Sequence, residues 1–214
     1  MYASSQRITD DTAELRRQAG NWHKEQRERV GLTQREMATA LAIKKWTFIS
    51  QLETGACRVP STRYEDWARI LEMPVRDLAL SLMPFYDPES YNLLFPGEPD
   101  ADVEPEHKAP APKPMPRNEE ITDRKAEHRA RKELGTWLAD RRKLLKMTQV
   151  DLAAKLGIPE PIRVSLVENG HDRMPLGYTK AWAWALKISP HYLARALLRV
   201  NDPLIFDVIF PDEI

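Results

Sequence analysis

The side chains that could do chemistry are few and poorly arranged for catalysis. His23, His107, His128, His171 and His191 show no HExxH-type spacing, and none sits in a recognisable nucleophile motif. Cys57 is the only cysteine, so an intrachain disulfide and a cysteine-based zinc site are both excluded. Eight glycines leave little material for a phosphate-cradling loop. These features point away from an enzyme and from any metal or cofactor. What remains is hydrogen-bonding and charge chemistry. Thr33-Gln34-Arg35-Glu36 and Thr148-Gln149-Val150-Asp151 each offer a hydroxyl that can cap a helix and an acid three residues later that can return the bond.

Those two tetrapeptides belong to a longer repetition. A shift of 115 positions superposes Ala38 on Ala153, Leu41 on Leu156, Ile43 on Ile158 and Ser50 on Ser165. The same shift matches Glu53 with Glu168, Gly55 with Gly170, Arg58 with Arg173 and Pro60 with Pro175. Trp67-Ala68 falls on Trp182-Ala183, Asp87-Pro88 on Asp202-Pro203, and Phe95-Pro96 on Phe210-Pro211. No gap is needed from Gly20/Gly135 to Glu98/Glu213, which argues for tandem copies of one folded unit.

Composition sets the boundaries. The 214 residues carry no formal net charge, which weakens any reading as an indiscriminate polyanion binder. Between the copies, Pro96, Pro99, Pro105, Pro110, Pro112, Pro114 and Pro116 accompany acidic residues and almost nothing apolar. Such a segment cannot build a core and reads as a semi-extended tether. The expected division is an N-terminal domain over 9–96, a linker over 97–118 and a C-terminal domain over 119–214. The N-terminus lacks a signal-peptide core and no apolar stretch is long enough to span a bilayer, so a cytoplasmic, non-membrane protein is expected.

Within each copy the periodicity predicts helices only. A first helix runs from about Asp11 to Arg29, with Asp11 and Glu14 as capping candidates; its counterpart starts near Thr122. The Thr-Gln pairs open the second helix, and a short turn leads to a third that closes at Gly55 or Gly170. The fourth buries Trp67 or Trp182; the fifth carries Leu78 and Leu82, or Leu193 and Leu197, with Ser189-Pro190 as a start signal. Trp22 and Trp137 read as core, while Trp46 is assigned neither to the core nor to the surface. The apolar tails Tyr91–Phe95 and Phe206–Phe210 are compatible with helix or strand.

The set Leu32–Leu41 with Ile49–Gly55, and Met147–Leu156 with Val164–Gly170, resembles the helix-turn-helix of the lambdoid-phage repressor/Cro family. The resemblance covers about residues 12–84 and 123–199. It implies an all-α protein of two tandem five-helix domains joined by the Pro-rich linker, and a transcriptional regulator that binds double-stranded DNA operators. In that family the third helix enters the major groove and the start of the second rests on the phosphate backbone. Carried over by position, the resemblance implies backbone contacts from Thr33, Gln34, Arg35, Arg58 and Arg63, and base reading by Lys45, Trp46, Thr47 and Gln51 with Lys44 at the edge. In the second copy it implies Thr148, Gln149, Glu160, Ile162, Arg163, Ser165 and Arg173, with Arg141, Arg142, Lys143 and Lys146 as neighbouring cations. Glu160, Pro161, Ile162 and Leu166 stand where polar base readers belong, which marks the second copy as an altered reader. A tether of about 22 residues spans roughly 26 Å as a flexible chain, against about 34–36 Å between half-sites. One chain reading two half-sites is therefore the main expectation. The alternative is a regulator in which one domain, above all the C-terminal one, binds a protein partner as an antiactivator or corepressor. Homodimerisation through the fifth helices and the tails is a further partner expectation.

Overall fold

A computed structural model describes residues 3–96, 124–175 and 177–211. The expected linker over 97–118 lies outside the described residues. Every regular element among those described is helical, and none of the helices is long and apolar enough to cross a membrane.

Capping chemistry sets the short helices. In α2 (Gln34–Ala40), the Thr33 hydroxyl accepts from the Glu36 amide at 3.2 Å while the Glu36 carboxylate accepts from the Thr33 amide at 2.8 Å. In α8 (Gln149–Leu156), Thr148 and Asp151 form the same reciprocal box at 3.1 and 2.8 Å. These bonds hold both acids below the usual carboxylate range. Caps of this kind are worth about 1 kcal/mol each. The shorter Asp side chain closes the box as fully as Glu does.

Long amphipathic helices precede the capped ones: α1 (Ala3–Arg29) and α7 (Arg124–Leu144). The α1 helix begins eight residues before Asp11, so Asp11 lies inside it and is not its cap. After α2 and α8 come α3 (Thr47–Glu53) and α9 (Ile162–Glu168). Each ends at a glycine with positive φ, +77° at Gly55 and +72° at Gly170. A 3-10 turn over Ser61–Arg63 leads into α4 (Tyr64–Ile70), whose counterpart is α10 (Thr179–Ala185). The α5 helix (Val75–Tyr86) corresponds to α11 (Pro190–Asn201), where Ser189 caps and Pro190 occupies the first turn.

The tails are helices: α6 (Pro88–Leu94) and α12 (Pro203–Ile209). Among the described residues, each half of the sequence thus contains six α-helices rather than the expected five. The reason is local. An aspartate followed by a proline at the first helical position, where a missing N–H costs nothing, restarts the helix; the Asp202 carboxylate accepts from the Ile205 amide at 3.2 Å.

The helices group into two units, Met1–Pro88 with Asp207–Ile214, and Glu89–Phe206. In the first, α1 packs on α3 and α5, and α4 on α5, around Met37, Leu41, Ile49, Leu52, Trp67 and Leu78. Arg76 Nε also donates to the Ile209 carbonyl at 3.3 Å there. In the second, α7 packs on α9 and α11 around Leu138, Leu152, Val164, Trp182, Leu186 and Leu193. Glu89 belongs to this unit: its carboxylate accepts from the Gly177 amide at 2.6 Å and the Thr179 hydroxyl at 3.3 Å, where α10 begins. A carboxylate is favoured at that end of a helix. Trp67 and Trp182 are core residues; Trp22 and Trp137 are only half-buried, the latter against Tyr192.

Candidate nucleic-acid interface

The second and third helices of each copy are held to the first by one buried network, present twice. Arg27 Nε donates to Glu53 at 2.6 Å, Gln34 Nε2 to the same carboxylate at 2.8 Å, and Arg27 Nη1 to the Leu32 carbonyl at 2.6 Å. In the second copy Arg142 reaches Glu168 at 2.7 Å and the Met147 carbonyl at 2.7 Å, and Gln149 reaches Glu168 at 2.8 Å. Both ion pairs are buried, with side-chain exposures of 8 and 7%, and of 9 and 4%. The Glu53 and Glu168 hydrogen bonds push the guanidinium pKa values up, locking Arg27 and Arg142 as cations. This network fixes the orientation of the third helix relative to the start of the second.

It also engages side chains that the resemblance assigns to phosphate. Gln34 and Gln149 each donate inward to a glutamate, and the Thr33 and Thr148 hydroxyls serve the caps. Arg142 is buried, and Arg141 donates to the Leu186 and Lys187 carbonyls. Arg63 donates to the Leu41 carbonyl at 2.6 Å and pairs with Asp66. These donors brace the fold. The pairing of Arg27 with Glu53 had a signal in the sequence, since both recur 115 positions on, but their contact across 26 residues had none.

The remaining first-copy positions converge. Lys44 and Lys45 lie in the turn ahead of α3, Trp46 is its N-cap residue, and Thr47 and Gln51 share one face a turn apart. Ile49 and Leu52 point the opposite way, into the core. Arg35, in the first turn of α2, places its guanidinium 5.4 Å from the Trp46 ring centroid, a cation–π distance. Trp46 is 43% exposed and is therefore a surface residue. Arg35, Lys44, Lys45, Thr47, Gln51 and Arg58 are all exposed. None of these four cations forms an ion pair among the described residues. Arg35, Lys44, Lys45 and Trp46 thus make a cationic, donor-rich surface around the start of α3, and Arg58 is a further exposed cation beyond its end.

The second copy presents a different surface on the same backbone. Val150 replaces Arg35, Glu160 replaces Lys45, Pro161 replaces Trp46 and Ile162 replaces Thr47. Val150 and Ile162 are each 60% exposed. Arg163 pairs with Glu160 at 3.6 Å and Arg173 approaches Glu127 at 4.0 Å. Ser165 accepts from Asn169 at 3.2 Å, and Lys143 pairs with Asp140. Local charge is neutralised and the centre of the face is aliphatic.

One buried group of the first copy was invisible in the sequence. His23 is 1% exposed, with Nε2 3.2 Å from the Tyr86 hydroxyl and its ring edge-on to Trp22 and Trp67. Burial pushes its pKa down to about 4 and that of Tyr86 up to about 12. A histidine depressed in the folded state stays neutral there while the unfolded chain takes up a proton below about 6.5. Stability is therefore complete above that pH and falls as pH drops from about 6.5 toward 4, by about 2 kcal/mol at pH 5. Urea unfolding at pH 7 and pH 5 should show this loss. His23→Leu, the residue that Leu138 supplies in the second copy, should abolish most of it; an equal pH dependence in that variant would refute the assignment.

No protein-family model, no curated protein and no solved structure matches this chain.

Proposed function

We propose that the chain is a sequence-specific double-stranded DNA-binding regulator built from two tandem helix-turn-helix domains of the repressor/Cro kind, and that its first copy is the principal reader. The observation that supports this most is the exposed, unneutralised set Arg35, Lys44, Lys45 and Arg58 around a short helix whose outward face carries Thr47 and Gln51. A helix fits the roughly 12 Å wide major groove. Lysine there reaches guanine acceptors, glutamine can read adenine, and Arg35 and Arg58 meet phosphates. The Trp46 ring, held under Arg35, supplies apolar area for a sugar or a thymine methyl.

The test is selection of duplexes from a random pool by the full chain, followed by binding measurements on the enriched sequence. Lys45→Ala combined with Gln51→Ala should weaken binding about 100-fold or more, at roughly 1–3 kcal/mol per lost base contact. Failure to enrich any sequence, or an unchanged affinity in the double variant, would remove this reading.

A second reading holds for the C-terminal copy. The exposure of Val150 and Ile162, with Glu160 facing where phosphates would come, favours a protein surface over a nucleic acid there.

A further inference from the structure

We propose that His128 and His171 of the second copy bind one divalent transition-metal ion, of the class of Zn2+ and Ni2+, which clasps α7 to the loop closing α9. The site is independent of what either reading face binds.

Backbone packing brings the two rings together. Gly170 follows α9 with a positive φ and lies so close to α7 that a Cβ there would stand 2.5 Å from the Lys132 amide nitrogen. His171 comes next, its amide held by the Leu166 carbonyl at 2.9 Å. His128 sits one turn before Lys132 on α7 and so shares that face. The two ring centroids end 5.3 Å apart, with their planes inclined by 30°. A zinc ion about 2.0–2.1 Å from one nitrogen of each ring stands about 3.2 Å from each centroid, and a tetrahedral angle sets the centroids about 5.2 Å apart. The observed separation matches. His128 is also oriented as metal-binding histidines are: its Nδ1 lies 3.1 Å from the Gly170 carbonyl oxygen, which can only accept. In the neutral ring Nδ1 therefore carries the hydrogen, and Nε2 keeps a lone pair for an ion. His128 is half-buried and His171 exposed, which leaves the pair open to solvent.

The surrounding charges decide the class of ion. Glu127 and Asp172 flank the histidines, but Arg131 and Arg173 lie 3.4 and 4.0 Å from the Glu127 carboxylate, and Asp172 accepts from the Arg173 amide at 2.9 Å. Two acids and two guanidiniums cancel. Hard cations that need carboxylate oxygens gain little here, and selection falls to the imidazoles. Among the described residues no group of three or more His, Cys, Asp or Glu is placed to hold a metal, so water completes the shell. The first copy has Ala13 and Ala56 at the equivalent positions and cannot form the site. Linear spacing hid the pair, because only the packing of α7 on the end of α9 joins the two residues.

The test is calorimetric titration of the full, chelator-treated chain with Zn2+, alongside thermal unfolding. One equivalent should bind and raise the unfolding midpoint, and Ni2+ should do the same. Mg2+ and Ca2+ should do neither. His171→Ala, at an exposed position that leaves the metal-free midpoint unchanged, should weaken Zn2+ binding at least tenfold. His171→Cys, which supplies another zinc ligand, should restore it, and His107→Ala should change nothing. No binding of Zn2+, binding that survives His171→Ala, loss in His107→Ala, or an equal response to Mg2+ would each overturn the proposal.

Discussion

Glu53→Ala should destabilise the N-terminal unit by about 3–5 kcal/mol, the range for removing one partner of a buried ion pair. The carboxylate accepts from Arg27 and Gln34, and it joins three helices through two side chains. Its loss leaves a guanidinium 8% exposed with only the Leu32 carbonyl and the more distant Glu28 as acceptors. An uncompensated buried cation accounts for most of the penalty, and a domain of this size has about 5–15 kcal/mol in total. Glu168→Ala should do the same to the second unit, through Arg142 and Gln149. Urea unfolding followed by tryptophan fluorescence measures both. A loss below about 1 kcal/mol in either variant would mean that water reaches the arginine and the network is ornamental. Replacing Arg27, Gln34 and Glu53 together by apolar residues of similar volume should cost far less than Glu53→Ala alone, because no charge is then left unpaired.

Gly20→Ala and Gly135→Ala should each cost about 3 kcal/mol, at the upper end for overpacking a tight interface. Helix propensity alone predicts the opposite sign, since alanine is favoured over glycine inside a helix by about 1 kcal/mol. The decisive fact is where a Cβ would fall. At Gly20 it meets the Glu53 carbonyl oxygen at 2.4 Å and the Leu52 oxygen at 2.9 Å; at Gly135 it meets the Glu168 and Val167 oxygens at 2.4 and 2.5 Å. These are backbone atoms at the end of the third helix and cannot swing aside. The first helix must move away, and that movement stretches the Arg27–Glu53 or Arg142–Glu168 bonds. Thermal unfolding of the two single variants checks this; a raised melting temperature in either would show that the helices separate freely there.

The two predictions concern one joint. The first and third helices approach closely enough to require glycine, and the buried ion pair holds them at that approach. The joint aims the exposed face of α3 in the first copy and of α9 in the second, so under the proposed function a change at Glu53 or Gly20 should also weaken duplex binding. The glycines were visible in the sequence only as matched letters 115 positions apart, since spacing does not reveal which backbone a glycine lies against.

The repetition itself, the all-helical character, the two capping boxes, the glycine ends at Gly55 and Gly170 and the buried Trp67 and Trp182 were legible in the chain. They depend on neighbours within a few residues or on periodicity along one helix, and a linear sequence records both. The side of Trp46 was not legible, because its position just before α3 fits either surface until the chain is packed. Nor were the sixth helices, where an Asp-Pro pair restarts a helix that apolar tails alone could also have made a strand. Whether a polar side chain faces solvent or a buried partner was settled only by folding. Gln34, Arg63 and Arg142 look like surface donors in a list of residues, yet each is committed to a glutamate, an aspartate or a carbonyl brought near from another part of the chain. Arg35, Lys45 and Gln51 look no different in that list, and they stay exposed, with no acid or carbonyl folded against them among the described residues. By itself the sequence determined which residues repeat and which helices form; long-range packing decided which polar groups brace the fold and which stay exposed.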